Sequence, residues 1–353
     1  MSSKPVVSVL MPVYNGEQYI AEAIESVLQQ TFRSFELIII NDGSTDRTVD
    51  VIRKYSDPRI RLVEMGANSG VIATLNRGID EATGEYIARL DADDAAFAER
   101  FEKQVDFFEK NPGFGLCGSS AVIIDKTGKE LFRMVYHYQA AEIPSHLLFR
   151  NVFIHSSIMV RAAILKTVRY DMAYYVAEDY FAWIRIATNW SVYTTPECLV
   201  KHRVHDTNVS KLKQDHANRT IDNIYRYQLL QLGITASDQE IVLHRKVGNY
   251  LFEGSESFLV QSENWLAKLH AANERLRRYE PAYFNAVLGN LWFNILSAGH
   301  QLGWRPYQLL KKSPVSKYIA SKQRWKLQML SLVHVPVLGW TLKPLYFIFK
   351  KVA

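Results

Sequence analysis

The sequence predicts an α/β fold, with a largely parallel sheet and covering helices over about the first hundred residues. Short β-branched runs alternate there with segments of helical periodicity. Turn sequences rich in Asn, Asp and Gly follow the predicted strands. Acidic residues also stand directly after two of the strands, at the sheet edge where ligands of open α/β sheets collect. Together these observations predict a ligand site built on strand ends.

The first strand and helix have the strongest pattern. Val6 to Met11 is a nearly continuous apolar run, typical of a buried strand. A helix is predicted to begin at Asn15 or Gly16. Its apolar residues recur at spacings of three and four, and they are Ile20, Ala23, Ile24, Val27 and Leu28. We expect this stripe to pack on the sheet.

Further strands and helices continue the alternation. In chain order they are a strand at 36–40, a turn at 41–46, a strand near 60–63, a helix with Ile72, Leu75 and Ile79, and a strand at 86–90. Asp42 therefore stands at the carboxyl end of the second strand, and Asp91 directly follows the last one. Both acids are candidates for the site.

The rest of the chain is divided by pattern. Residues 101–210 are mixed, with a predicted strand at Phe153 to Val160 and a helix after Glu178 and Asp179, and we interpret them as the second half of the same domain. Residues 211–353 are mostly helical and rich in Tyr, Trp and Leu, which predicts a helical extension. The domain boundary is placed near residue 210.

Charge is distributed unevenly along the chain. The net charge is +6, yet no Asp or Glu follows Glu280. Ten basic residues follow it, so the end of the chain carries +10 and the remainder carries −4. Tryptophans at 304, 325 and 340 are interleaved with these bases, and no nucleic-acid-binding motif is present. The pattern favours a membrane surface over nucleic acid; a basic helical subdomain or an oligomer contact is the alternative.

Three observations bear on the cellular setting. The run from Leu332 to Phe349 contains His334, Pro336, Lys343 and Pro344, so insertion across a bilayer would be costly. The two cysteines lie in no metal-binding pattern, which indicates a reducing compartment. Met1 to Val7 lacks the features of a signal peptide. We expect a cytoplasmic protein, peripheral on the inner face of the cell membrane.

Four acidic residues need a chemical explanation: Asp42, Asp91, Asp93 and Asp179. A hard divalent cation prefers carboxylate and phosphate oxygens, so metal-assisted transfer from a nucleotide diphosphate accounts for several acids at one site. A single carboxylate base then suffices, and Asp179 is the candidate. Alternatives remain for each acid, since Asp42 fits a common turn and the others fit helix N-termini.

Three segments carry a resemblance to a known family. They are Val7 to Glu17, Asn41 to Asp46, and Gly84 to Asp94, which contains Leu90-Asp91-Ala92-Asp93-Asp94. In this order they resemble the nucleotide-binding half of a family 2 glycosyltransferase, an inverting enzyme of the GT-A fold. The resemblance covers residues 6–100 and implies a UDP-sugar donor, with Mn²⁺ or Mg²⁺ as cofactor.

The resemblance assigns roles to residues of the donor site. Pro12 and Tyr14 should line the uracil pocket, and Asp42 should accept a hydrogen bond from the uracil ring. Asp91 should face the ribose or the donor sugar, and Asp93 should reach the metal and diphosphate. Asp94 should cap the loop or touch the sugar. This chain has Gly70 to Thr74 where some members of the family place a basic residue near the diphosphate.

The resemblance extends more weakly beyond residue 100. The pair Glu178-Asp179 resembles a later acidic pair whose second member is the base. The pattern of Arg203, His205, Asn208 and Ser210 resembles a family stretch whose histidine completes the metal or diphosphate contacts. A surface or core histidine is the alternative for His205.

His155 is a further candidate, from its sequence setting alone. It follows Phe153 and Ile154 in the predicted strand and could shape the acceptor site. A histidine hydrogen-bonded beside a buried strand is the alternative.

The function predicted from the sequence is transfer of a hexose or N-acetylhexosamine from a UDP-sugar to a hydroxyl of a glycan acceptor. We expect the acceptor to be lipid-linked, in surface polysaccharide biosynthesis. A nucleotidyltransferase and a non-catalytic glycan-binding relative are the alternatives. The first should carry a Gly-rich, Arg-containing loop after the opening strand, where this chain has Pro12 to Gly16. The second should have lost its acids, which are all present.

Overall fold

The computed structural model describes residues 4–205 and 214–333. These residues form two compact units. The first contains the chain up to residue 140 together with Val152–Thr220, and the second contains Ala141–Asn151 together with the chain from residue 221 onward. The predicted segment from Leu332 to Phe349 lies almost entirely outside the described residues, as do Asn208 and Ser210.

The first unit contains one mixed sheet. Its strands are β1 (Val7–Val13), β2 (Phe35–Asn41), β3 (Ile60–Glu64), β4 (Tyr86–Arg89), β5 (Ala95–Ala96), β6 (Phe114–Ile124), β7 (Glu130–Met134), β8 (Met159–Arg161) and β9 (Ser191–Arg203). The order across the sheet is β3-β2-β1-β4-β8-β6-β9-β5, with β7 also paired to β6. The predicted α/β fold is therefore present.

The helices of the first unit cover this sheet. They are α1 (Ile20–Leu28), α2 (Thr48–Ile52), α3 (Val71–Glu81), α4 (Arg100–Lys110), α6 (Ala162–Val168) and α7 (Glu178–Asn189), while α5 (Ile143–Leu147) belongs to the second unit. The predicted stripe of α1 is confirmed, since Ile20, Ala23, Ile24 and Val27 are fully buried in the sheet core. Removal of such side chains from water is the main stabilising contribution to folding.

The strand order explains where a ligand can bind. Strands β1, β2 and β3 are parallel and follow one another toward one side of the sheet. Strand β4 is also parallel to β1 but pairs with it on the opposite side. The order of the strands thus reverses at β1, and crevices at such switch points bind ligands in open α/β sheets. The residues after β1, β2 and β4 are Tyr14, Asp42 and the Asp91–Asp94 segment.

A proline is unusual in the interior of a sheet because it cannot donate a ladder hydrogen bond. Pro12 lies in β1, and the pairing of β1 with β4 ends at Leu10. At Pro12 the strand is therefore paired only with β2, opposite Ile40. The proline therefore lies where β1 has a pairing partner on one side only.

The predicted strand at Phe153 to Val160 is wrong over most of its length. Residues His155–Ser157 form a short 3₁₀ helix, and only Met159–Arg161 forms a strand. Ser157 donates its hydroxyl to the carbonyl of Ile154 and accepts the N–H of Ser119. Serine side chains that bond to backbone groups compete with a strand ladder, and apolar periodicity does not reveal this competition.

The second unit is helical, as the sequence predicts for this part of the chain. Its helices after α5 are α8 (Gln214–Gln231, which begins in the first unit), α9 (Asp238–Gly248), α10 (Glu256–Leu276), α11 (Pro281–Ala298), α12 (Arg305–Lys312) and α13 (Ser321–Val333). Ser237 starts α9 with a capping box to Glu240. Across the described residues, none of the helices has both the length and the apolar character needed to cross a membrane.

Candidate active site

The loops after β1 and β2 hold each other in place. The N–H of Asn15 donates to the hydroxyl of Ser44 at 2.9 Å, and the Asn15 side-chain oxygen accepts the N–H of Thr45 at 2.8 Å. The N–H of Gly16 donates to the hydroxyl of Thr48 at 2.8 Å. Tyr14 stands at the start of this pair of loops with half of its surface exposed. Its ring is therefore presented to solvent on a fixed backbone.

Asp42 is buried and connects the second loop to helix α3. One carboxylate oxygen accepts the N–H of Ser69 at 2.7 Å, and the other accepts the N–H of Gly70 at 2.9 Å. These bonds satisfy N–H groups at the start of α3, where a carboxylate is favoured. Each carboxylate oxygen can accept a further hydrogen bond. With its two backbone hydrogen bonds in place, Asp42 can still accept the predicted hydrogen bond from a uracil ring.

Asp91 is held by a buried arginine and a serine. The guanidinium of Arg89 lies 2.5 Å from one oxygen of Asp91, and the hydroxyl of Ser156 donates to the other at 2.8 Å. The N–H of Asp91 donates back to the same hydroxyl at 3.0 Å. Burial alone would raise the pKa of Asp91, but the Arg89 charge and these bonds lower it to about 2. Asp91 is therefore a fixed negative charge.

Asp94 bonds to strand β9 and faces away from solvent. Its side chain is fully buried, with one oxygen 2.9 Å from Nδ1 of His202 and the other accepting the N–H of Arg203 at 2.7 Å. Burial alone would lower the pKa of His202, but the charge of Asp94 raises it to about 9. Of the two roles predicted for Asp94, these contacts support capping of the loop.

Asp93, unlike Asp94, keeps part of its side chain exposed. Its Oδ2 is 2.8 Å from Nε2 of His205, whose ring stacks on Tyr19 with centroids 5.6 Å apart. Burial, with further contributions from the neighbouring carboxylates, raises the pKa of Asp93 despite the hydrogen bond from His205. The structure thus brings the two predicted metal-site residues, Asp93 and His205, into direct contact.

The three acids form a group that could hold a cation. One oxygen each of Asp91, Asp93 and Asp94 lies within 4.8 Å of the others. Carboxylate oxygens are the ligands that Mg²⁺ and Mn²⁺ prefer, and bringing like charges this close is unfavourable without compensation. Asp91 and Asp93 keep about a third of their side-chain surface exposed, whereas Asp94 has none. The residues therefore fit a divalent cation placed against Asp91 and Asp93.

Arg203, two residues before His205, supports the loop that carries Asp93. Its Nε donates to the backbone carbonyl of Asp93 at 2.8 Å, and its guanidinium pairs with Glu22 at 2.5 Å. The guanidinium also lies 4.6 Å from the centre of the Tyr19 ring. Because Arg203 is 2% exposed, it holds the Asp93 loop from the interior of the protein. The Arg-x-His spacing was the available signal for this residue, whereas no sequence pattern pointed to His202.

Glu178 and Asp179 begin helix α7. Val176, two residues before the pair, has φ of 72°, which is a strained backbone conformation for a β-branched residue. Glu178 is 8% exposed, and its Oε2 has no hydrogen-bond partner among the described residues. Burial first, and then the charge of Asp179, raise the pKa of Glu178 to about 7. Asp179 is more exposed and accepts the N–H of Tyr180 at 2.6 Å.

His155 belongs to an aromatic cluster beside this pair. Its Nε2 is 2.8 Å from the hydroxyl of Tyr170, and both rings contact Trp183 of α7 edge-on. Burial, and then the charge of Arg89, hold the pKa of His155 well below its usual value, so the ring is neutral at pH 7. Asp91 contributes to the raised pKa of Glu178, which places the two carboxylates within electrostatic range of each other.

We expect the pH dependence of stability to reveal the burial of Glu178. A carboxyl whose pKa is raised by folding keeps its proton longer in the folded state, so its contribution to stability declines as pH rises from about 4.5 to 7. That decline amounts to roughly 3 kcal/mol. Glu178→Gln removes the ionisation, so its Tm should fall less between pH 5 and 8 than that of the wild type. Glu109→Gln, at an exposed position of α4, is the matched control and should follow the wild type.

Comparison with known proteins identifies the family of this chain. The chain matches the sequence model of Glycosyl transferase family 2 over residues 8–168. It is 34% identical over 253 residues to an uncharacterized glycosyltransferase of Haemophilus influenzae, spanning 66% of this chain and 77% of that one. It is 30% identical over 225 residues to the putative teichuronic acid biosynthesis glycosyltransferase TuaG of Bacillus subtilis, spanning 62% and 86% respectively.

A solved structure is similar over most of the chain. The structure of S. aureus TarS 1-349 in complex with UDP-GlcNAc has a TM-score of 0.54 and 17% identity, covering 86% of this chain and 91% of TarS 1-349. At this identity the likeness shows the fold alone. Fold and acidic site together define a glycosyltransferase with the GT-A fold. The chain belongs to glycosyltransferase family 2, as its sequence motifs indicated.

Proposed function

We propose that this glycosyltransferase moves a hexose or N-acetylhexosamine from a UDP-sugar to a hydroxyl of a glycan acceptor, with inversion at the anomeric carbon. The observation that carries the proposal is the arrangement around the switch point of the sheet. Tyr14 and Asp42 follow β1 and β2, and the Asp91, Asp93 and Asp94 group follows β4. Glu178 lies within electrostatic range of Asp91.

The strand ends suit a uridine nucleotide. The half-exposed ring of Tyr14 can stack on a base, and Pro12 lies two residues before it in β1. Asp42 has acceptor capacity for a ring N–H, and its two backbone bonds hold the carboxylate in place. The ligand in the complex of the similar TarS structure, UDP-GlcNAc, supports a UDP-sugar as the donor.

The acidic group suits the diphosphate through a cation. Mn²⁺ or Mg²⁺ would be held by Asp93, with His205 beside it, and supplies positive charge that stabilises a leaving diphosphate. The protein prepares this position with its own contacts. Arg203 fixes the Asp93 backbone, and Asp94 anchors the loop to β9. Asp91 remains charged at neutral pH and can accept hydrogen bonds from ribose or sugar hydroxyls.

Asp179 is the proposed base. It removes the proton from the acceptor hydroxyl as that oxygen forms a bond to the anomeric carbon. The bond from this carbon to the diphosphate oxygen breaks, and UDP leaves with the electron pair. The partly buried His155 and the buried Glu178, which precedes Asp179 in the chain, are proposed to shape the place where donor and acceptor sugars meet.

The acceptor is proposed to be a lipid-linked glycan of surface polysaccharide biosynthesis, at the cytoplasmic face of the cell membrane. Two observations support this. The relative TuaG is named for teichuronic acid biosynthesis, which concerns a cell-surface polymer. The basic, Trp-containing end of this chain also has the composition of a segment that lies on an anionic membrane.

Release of UDP from a panel of UDP-sugars tests the proposal. With Mn²⁺ or Mg²⁺ present, we expect one or two UDP-sugars to be hydrolysed slowly without acceptor and faster with it. Calorimetry with UDP and metal measures nucleotide binding without requiring turnover. Tyr14→Ala should weaken UDP binding by about tenfold, through loss of roughly 1–3 kcal/mol of base stacking. Equal binding of GDP and UDP would refute the uridine assignment, and UDP binding that does not depend on metal would refute the cation assignment.

A further inference from the structure

The exposed face of helix α12 combines lysines with a tryptophan. Trp304, Gln308, Lys311 and Lys312 are all exposed, and their spacing places them on one side of the helix. Pro306, Leu309 and Leu310 are buried on the other side. The helix is therefore anchored in the second unit by its apolar face and presents a basic, aromatic face to solvent.

Helix α13, which packs against α12, repeats this arrangement. Lys322 and Trp325 are exposed one turn apart, while Leu327 is buried. Trp325 is 62% exposed and Trp304 is 46% exposed. Exposed tryptophans beside lysines are the combination that favours the interface of a membrane. We call the exposed Trp304, Lys311, Lys312, Lys317, Lys322 and Trp325 of these two packed helices and the segment between them the basic–aromatic surface.

The lysines of this surface lack carboxylate partners. In the part of the chain that the structure describes, Lys311, Lys312, Lys317 and Lys322 form no ion pair, and no acid follows Glu280 in the sequence. Lys311 instead lies 4.8 Å from the centre of the Tyr307 ring. Arg324 is used internally, donating to the carbonyls of Ile319 and Ser316. The positive charge of the four lysines is thus available to an anionic partner.

We propose that the basic–aromatic surface binds anionic lipid headgroups of a membrane. Lysines near an anionic leaflet each contribute about fivefold in affinity, and tryptophans favour the interface between headgroups and acyl chains. Exposed indoles distinguish this surface from one that needs charge alone, such as a site for a nucleic-acid backbone. Bound in this way, the second unit lies against the headgroups with its lysines and tryptophans toward the bilayer.

This inference deepens the proposed function and rests on it for the lipid-linked acceptor. A surface that holds the enzyme at the bilayer keeps it close to such an acceptor. The binding itself is independent of catalysis. None of its residues belongs to the acidic site, so vesicle binding and UDP binding can be measured separately on the same protein.

Flotation of the full chain with vesicles tests the inference. We expect binding to phosphatidylcholine vesicles that contain phosphatidylglycerol, and little binding to phosphatidylcholine alone. Lys311→Gln with Lys312→Gln should weaken binding by about tenfold or more. Trp304→Ala with Trp325→Ala should weaken it as well. Lys126→Gln with Lys129→Gln removes the same charge from exposed positions of the first unit and should leave binding unchanged.

Three results would overturn the inference. The first is anionic-vesicle binding that the Lys311 and Lys312 changes leave intact. The second is vesicle binding that is indifferent to the tryptophans, and the third is tighter binding to duplex DNA than to vesicles. Calorimetry with UDP and Mn²⁺ on the same variants separates the two proposals. Lost vesicle binding with intact UDP binding supports the surface, and vesicle binding in a protein that fails to bind UDP refutes only the nucleotide assignment.

Discussion

Asp179→Asn is expected to lower kcat for sugar transfer by roughly 10²- to 10⁴-fold, the range found for removal of a general base. The amide keeps the size of the carboxylate and still accepts the N–H of Tyr180, so the start of α7 should be retained. It cannot take up the proton of the acceptor hydroxyl. Because the donor diphosphate is assigned to another part of the site, KM for the UDP-sugar should stay within about threefold. Steady-state kinetics with donor and acceptor varied separately provide the measurement.

Two further variants make the test of Asp179 specific. Asp50→Asn changes the same functional group at an exposed position of α2 and should retain full activity. Glu178→Gln removes the buried neighbour while leaving the base in place, and should cost less than Asp179→Asn. If Asp179→Asn were as active as Asp50→Asn, the base would have to be another group. A larger loss in Glu178→Gln would shift the assignment to Glu178.

The fold of the first unit was predictable because its signals are local. A strand buried on both faces is a short apolar run, and a covering helix has apolar residues at spacings of three and four. Both patterns are strong in β1 and α1, and each was found. The run at Phe153 failed as a strand because Ser156 and Ser157 bond to Asp91 and to backbone groups distant in sequence. Such long-range bonds leave no periodic trace.

The candidate site was predictable in its acids but not in the groups that hold them. Asp91, Asp93 and Asp94 stand together in the chain, so a motif reveals them. Arg89 is only two residues from Asp91 in the chain, whereas His202 and Ser156 reach the acids only because β9 and the 3₁₀ helix fold against the segment after β4. Their contribution is electrostatic. Arg89 lowers the pKa of Asp91, while Asp94 raises that of His202, and neither effect follows from residue spacing.

These supporting contacts also give the acids of the group different roles. Asp94 is buried and bonded at both oxygens, so it acts on the loop from within the protein. Asp93 has one oxygen toward His205 and retains exposed surface. The same short motif therefore contains one acid suited to structure and one suited to a ligand. Substitution of each should give a different kind of defect.

Asp93→Ala is expected to abolish the metal dependence of UDP binding and to lower turnover by roughly 10²-fold or more, since electrostatic stabilisation of a leaving group contributes several kcal/mol. The structure predicts that folding survives this change. Burial and neighbouring charges raise the pKa of Asp93, which means that its ionisation is unfavourable in the folded protein. Calorimetry should show weak UDP binding that added Mn²⁺ no longer strengthens, with Tm within a few degrees of the wild type.

Asp94→Ala is the matched comparison, one residue along the chain. It leaves the buried N–H of Arg203 without its acceptor, which typically costs about 1–3 kcal/mol, and it also removes the charged partner of the partly exposed His202. Its defect should therefore appear first as a lower Tm. If instead Asp93→Ala lost stability while keeping metal-dependent UDP binding, Asp93 would be the structural acid and the cation would have to be placed against Asp91.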